Sequence, residues 1–144
     1  MRHGGNVWEG QPADWLDFSA NLRPEGTPAW VMDTMRAALS QACYYPDRAM
    51  RAARAGLALY LGVDENCVLP TAGGAAAIDL TLGVRRGAVH VQQPTFGEYA
   101  ERAKAHGRRM AANQAIQADD TVVICNPNNP TGTLLSPNDV LRMH

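Results

Sequence analysis

Thr121-Val122-Val123-Ile124-Cys125-Asn126-Pro127-Asn128-Asn129-Pro130-Thr131-Gly132 is the stretch on which the fold turns. Its first five residues are β-branched or apolar, the pattern of a short parallel strand covered on both faces. Pro127 and Pro130 cannot continue a sheet ladder, so the strand ends where they begin. Residues 126–132 then make a tight loop, and Asn129 projects its amide from the carboxyl end of a buried strand. A neutral amide at that place can donate to a phenolate oxygen without adding charge. The simpler alternative is a plain strand-to-helix turn rich in Asn and Pro.

Upstream, residues 88–91 form a second strand candidate. Thr95-Phe96-Gly97-Glu98 has the spacing of a capping box, which predicts a helix from there to about Gly107. Residues 75–82 are small and apolar and predict a buried helix, and Gly73-Gly74 lets the backbone before it approach an anion at the free first-turn amides. Met50, Ala53, Leu57, Tyr60 and Leu61 share one helical face, with Asp47 as cap and Gly62 at the stop position. Val31, Met35, Ala38, Leu39 and Ala42 share another, with Thr27 as N-cap and Pro28 at the first position. Residues 16–19 suggest a short strand in an otherwise extended, Gly-, Asn- and Pro-rich segment, and Ser136-Pro137 caps a last helix. Helices alternating with buried strands give an α/β class. In such sheets, ligands sit at the carboxyl ends of strands and near helix N-termini.

The composition narrows the function. The 144 residues carry 13 Lys+Arg against 14 Asp+Glu, a net charge of −1 that argues against nonspecific nucleic-acid binding. No apolar run approaches the length of a membrane span, and residues 1–10 lack the apolar core of a secretory signal. Cys43, Cys67 and Cys125 have no zinc or redox spacing, so no metal site is expected and a reducing, cytoplasmic setting is the default.

The string 126–132 resembles the signature of fold-type I pyridoxal-phosphate enzymes, in the class I/II aminotransferase group. That resemblance implies a three-layer α/β/α large domain, here incomplete, over residues 29–144, preceded by an N-terminal arm over 1–28. It implies that Asn129 contacts the ring hydroxyl oxygen of the cofactor, and that the amides of Gly74 and Ala75 hold its phosphate. Ala75 and Ala76 stand where related histidinol-phosphate enzymes usually carry polar side chains, so only backbone contacts are implied there. Phe96 in Gln93-Pro94-Thr95-Phe96 is the implied stacking ring, with a core Phe at a helix start as the alternative; Tyr99 reads as packing. Tyr45 in Tyr44-Tyr45-Pro46-Asp47 matches the segment that reaches the cofactor phosphate of a neighbouring subunit, which implies a homodimer.

Two amino-terminal patterns, His3-Gly4-Gly5-Asn6 and Asp17-Phe18-Ser19-Ala20-Asn21, resemble the branch of the group that decarboxylates L-threonine O-3-phosphate in cobalamin biosynthesis. There His3, Gly4 and Gly5 are implied to contact the substrate phosphate and Asn21 its carboxylate. Leu22-Arg23-Pro24 departs from the usual Asn-Pro, and Arg23 adds a cation. The implied product is (R)-1-aminopropan-2-yl phosphate. A histidinol-phosphate-type aminotransferase is the alternative, because the two reactions share nearly all their residues. The chemistry also needs a Schiff-base lysine. Lys104 is the only lysine in the sequence, and it falls on the exposed side of a predicted helix. The chain therefore carries no catalytic lysine. It is expected to be the amino-terminal part of a longer enzyme, inactive and poorly soluble alone, or else a noncatalytic remnant.

Overall fold

The computed structural model describes residues 4–111 and 114–143. The chain divides into two compact units, one over Met1–Glu65 and another over Asn66–His144.

The first unit holds two helices, α1 (Ala29–Ala38) and α2 (Arg51–Leu61), with short 3-10 turns at Pro12–Asp14 and Leu39–Gln41. Pro28, not Thr27, is the N-cap of α1, and no side chain caps it. Thr27 therefore lies one residue before the cap position. Asp47 does act as a cap, from a distance. Its carboxylate accepts from the amides of Ala49 (3.1 Å) and Arg51 (3.0 Å) and from the Arg51 side chain, which holds its carboxyl down at about 2. Met50, between them, is left-handed (φ 50°). Gly62 ends α2 in the left-handed conformation (φ 69°), as the sequence predicts. Residues 16–19 are not a strand. Asp17 instead accepts from the amide and hydroxyl of Ser19, a local turn that competes with any ladder.

The second unit is built on three parallel strands in the order β2-β1-β3: β1 (Val89–Val91), β2 (Met110–Ala111) and β3 (Thr121–Val123). Helices α3 (Gly74–Gly83) and α4 (Glu98–Ala105) lie against one face, and α5 (Pro137–Leu141) closes the chain. The core joins Leu82 of α3, Val89 of β1 and Ala103 of α4, with Ile78 and Val123 packed against them. Ser136 caps α5 in a reciprocal capping box with Asp139.

Two expectations fail here. The sequence predicts a strand over 121–125 that is covered on both faces. In fact β3 stops at Val123, and Val122 remains 44% exposed. Val89 and Val123 point to the face that α3 and α4 cover, whereas Val122, one residue out of phase, points to the other. Likewise α3 is apolar but not buried all round. Leu82 is sealed while Leu80 and Val84 stay exposed.

Arg108 secures the strand entries. It is buried, and its guanidinium donates to the carbonyls of Gly87 (2.7 Å), Leu82 (2.9 Å) and Ala88 (3.0 Å) and to the Thr121 hydroxyl (2.8 Å). Asp120 fastens β1 to β3. It accepts from the amides of Ala88 (2.7 Å) and Gln117 (2.9 Å) and pairs with His90 Nε2 (2.8 Å). Gly87 must lack a Cβ, which would lie 2.5 Å from both the Asp119 carbonyl and Asp120 Oδ1.

Replacing Arg108 by Met removes four hydrogen bonds, leaving the Ala88 carbonyl with the Thr121 amide but taking the side-chain donor from Leu82 and Gly87, and should cost about 3 kcal/mol in urea unfolding, whereas exposed Arg109→Met should stay within about 0.5 kcal/mol. The Asp120 carboxyl is held at about 2, below its ordinary 3.8, first by the Gln117 amide and then by His90. A depressed carboxyl contributes stability that is complete above 3.8 and is lost as pH falls through about 2. Unfolding midpoints measured down through this window should fall for the wild type and fall less steeply for Asp120→Asn.

Candidate active site

The loop after β3 carries three asparagines, and the structure gives them different work. Asn126 behaves like a strand partner. Its Oδ1 accepts from the Leu135 amide (2.8 Å) and its Nδ2 donates to the Leu135 carbonyl (3.1 Å). Asn128 accepts from the Thr95 hydroxyl (2.8 Å) and donates to the Pro94 carbonyl (3.0 Å) and the Thr131 hydroxyl (2.7 Å). Asn129 is exposed, and only its backbone is engaged, donating to Cys125 Sγ at 3.4 Å. Its side-chain amide has no hydrogen-bond partner among the described residues. The peptide bonds before Pro94, Pro127 and Pro130 are cis.

Phe96 is half-buried and meets Tyr99 edge-on, with ring centroids 5.8 Å apart and planes at 89°. Burial pushes the Tyr99 hydroxyl up to about 12, helped by its hydrogen bond to Cys125. That same bond, with the Asn129 amide and Thr95, holds the Cys125 thiol below its ordinary value. The expected capping box at Thr95 and Glu98 does not form. Gly97 is the N-cap of α4, without a side-chain cap. Thr95 is occupied by Asn128, and Glu98 pairs with Arg102 one turn on, at 2.9 Å.

At the start of α3, Gly73 is the N-cap with φ 87° and ψ 169°, and no side chain caps the helix. The amides of Gly74, Ala75 and Ala76 have no carbonyl within the helix to bond. A Cβ at Gly73 or Gly74 would meet nothing within 4 Å. The surface beside these amides is therefore open, and the helix dipole favours an anion there.

A hollow of about 670 Å³ lies at the carboxyl ends of β1 and β3, lined by Gln93, Thr95, Cys125, Asn128, Thr131 and Leu135 among others. A second, of about 560 Å³, follows the outer edge of β3 beside α3. Gly74, Ala75, Phe96 and Asn129 line neither of these. The sequence-predicted site residues do not include Asn128 or Thr95. Their signal is weak, since each sits inside a motif whose neighbour carries the family role.

In the first unit, the two amino-terminal patterns come together. The Gly5 amide donates to Ser19 Oγ (2.8 Å), and a Cβ at Gly4 would overlap the Ser19 carbonyl. Asn21 is exposed, and Tyr45 is fully exposed. His3 lies outside the described residues. Lys104 is exposed in the last turn of α4. No described helix is long and apolar enough to cross a membrane.

The Aminotransferase class I and II family model matches residues 13–144. The chain belongs to the class I and II aminotransferase family. These are pyridoxal phosphate enzymes. The chain is similar to the threonine-phosphate decarboxylases of Sinorhizobium sp. (33% identity over 98% of the chain and 45% of that protein) and Pseudomonas aeruginosa (30% over 100% and 45%). It is also similar to the histidinol-phosphate aminotransferase of Desulfitobacterium hafniense (26% over 90% and 43%). It spans about half the length of these relatives. Among solved structures, its fold matches the histidinol-phosphate aminotransferase of Clostridium acetobutylicum (TM-score 0.77, 24% identity, 90% of this chain and 42% of that one). It also matches the L-threonine-O-3-phosphate decarboxylase of Porphyromonas gingivalis (TM-score 0.69, 24%, 82% and 41%). The fold is thus part of a fold-type I α/β domain.

Gly73 adopts a backbone conformation nearly closed to other residues, so Gly73→Ala should destabilise by about 1–3 kcal/mol. Gly74→Ala, helical and in open space, should lie within about 0.5 kcal/mol of wild type or be mildly stabilising. Thermal or urea unfolding of the two variants checks the contrast.

Proposed function

We propose that this chain supplies one part of the cofactor pocket of a pyridoxal-phosphate-dependent decarboxylase acting on L-threonine O-3-phosphate. The observation that carries the reading is the uncommitted Asn129 amide. Its two loop neighbours of the same type are engaged in holding the loop, so it alone is left to meet a ligand. The residues fit the cofactor at a second point too, where Gly74, Ala75 and Ala76 offer unpaired amides in open space to a phosphate.

When bound, pyridoxal phosphate supplies an electron-poor ring that accepts the electron pair released at the substrate Cα. Each residue has a separate task in that setting. The amides of Gly74 and Ala75 hold the phosphate. Asn129 donates to the deprotonated ring oxygen and favours that form, and Phe96 stacks against the ring. Gly4 and Gly5, buttressed by Ser19, together with His3 and Asn21, hold the phosphate and carboxylate of the substrate. Tyr45, standing free of its own chain, reaches the cofactor phosphate of a second copy in a homodimer. With the cofactor held there, the reaction so served would be exchange of the substrate's α-carboxylate, lost as CO₂, for a proton, giving (R)-1-aminopropan-2-yl phosphate for cobalamin biosynthesis in the cytoplasm. Lys104, exposed in the last turn of α4, is assigned no anchoring role.

A histidinol-phosphate-type aminotransferase is the second reading, supported by relatives and fold neighbours of that name. The decarboxylase reading is favoured at the amino terminus. There the Gly5–Ser19 contact joins the two patterns that suggest the decarboxylase.

Equilibrium dialysis should show the chain retaining pyridoxal phosphate, with Asn129→Ala weakening retention by roughly tenfold or more, the worth of one hydrogen bond to a charged oxygen. Absence of retention, or retention indifferent to residue 129, would defeat the reading. With the lysine-bearing segment present, phosphothreonine should yield CO₂; a keto acid would select the aminotransferase.

A further inference from the structure

Among the described residues of loop 126–133, Asn128 has both amide N–H groups engaged, and its partners fall in two places. Thr131 belongs to the loop itself. Pro94 and Thr95 belong to the turn between β1 and α4. Its backbone is fixed as well, the amide donating to the Thr133 carbonyl (2.8 Å) and the carbonyl accepting from the Gly132 amide (2.7 Å). Asn126, by contrast, reaches only Leu135 with its side chain.

Phe96 directly follows Thr95, and Asn129 directly follows Asn128. One side chain therefore ties the backbone that presents the aromatic ring to the backbone that presents the free amide. Cys125 lies along the same seam, but sulfur makes only weak hydrogen bonds. We propose that Asn128 is a positioning residue that fixes the separation between the Phe96 ring and the Asn129 amide, and so the fit of a planar ligand against both, without touching that ligand. This rests on the reading that Phe96 and Asn129 face the cofactor ring.

The chemistry of Asn128 sets how each substitution should act. Aspartate would keep the acceptor for Thr95 and lose both donors. Alanine would lose all three bonds. Thr95→Val would lose only one, from the opposite side. These variants make a graded series that a general loss of stability would not reproduce.

Two measurements on the chain test the proposal. The first is amide hydrogen exchange by mass spectrometry. Asn128→Ala should speed exchange by roughly tenfold in residues 93–97 and 126–133 together, with Asn128→Asp and Thr95→Val intermediate at both. Asn126→Ala should loosen only its own segment. The second uses pyridoxal phosphate as probe and follows the pH midpoint of its phenolate absorption. The wild-type chain should lower that midpoint, because a donor to the ring oxygen favours its deprotonated form. Asn129→Ala should abolish the shift while leaving exchange at 93–97 unchanged. Asn128→Ala should reduce the shift although Asn129 is intact, and Thr95→Val, which removes one of the three bonds without adding charge, should reduce it less. Exchange that rises in 126–133 alone, or a wild-type midpoint in Asn128→Ala, overturns the positioning role and leaves the cofactor reading standing. A midpoint that the wild type does not shift, or that Asn129→Ala does not restore, overturns that reading and this inference with it. Should Asn128→Ala fail to fold, Thr95→Val decides by the same criteria, and Asn128→Asp decides by exchange alone.

Discussion

Proline at 127 and at 130 removes two backbone donors from the segment that leaves β3, and everything around that segment depends on what replaces them. A chain without those donors cannot extend the sheet. Much of its order comes from side chains. Asn126 supplies a donor and an acceptor to Leu135 as a neighbouring strand would, and Asn128 does the same for the turn at Pro94 and Thr95. Amides suit this because each carries both polarities and no charge. A carboxylate in either place would meet a carbonyl it could not bond.

The same constraint separates structure from function within a run of similar residues. Side chains that hold a loop are saturated by it; one that meets a ligand has to be left over. Asn129 is left over. At the other end of the proposed pocket, Gly73 achieves a comparable result by absence. With no side chain to cap α3, the first-turn amides remain open, and the backbone conformation that arranges this is one that glycine tolerates. The chain thus presents neutral donors at both points, which suits a ligand carrying a phenolate and a phosphate.

Much of this was legible in the sequence, for identifiable reasons. The β-branched run into Asn-Pro and the Gly62 stop signal are local, and local signals survive folding. So is the Ser136 cap, which forms as expected because the helix that follows offers it a free end. The Thr95–Glu98 pair carried the same type of signal and went elsewhere, because Asn128 and Arg102 came within reach in three dimensions. Among the described residues strand β2 has Met110 and Ala111, too few for any periodicity to register. The role of Arg108 was hidden for a different reason. An arginine in a basic stretch looks like solvated charge, and nothing local announces that three carbonyls from α3 and the entry to β1 converge on it. Which Asn would be free was carried by the family resemblance; the reason it is free came from the geometry.

The partners of Arg108 are carbonyl oxygens and a hydroxyl, none of which ionises in the range where proteins fold. Asp120, immediately before β3, makes its bonds through its own carboxylate, which does. The two fasteners at the strand entries therefore answer differently to acid. Protonation frees Asp120 from Ala88, Gln117 and His90, while the bonds of Arg108 to α3, to the head of β1 and to Thr121 of β3 do not respond, so acid loosens the residue before β3 and leaves the strand entries joined.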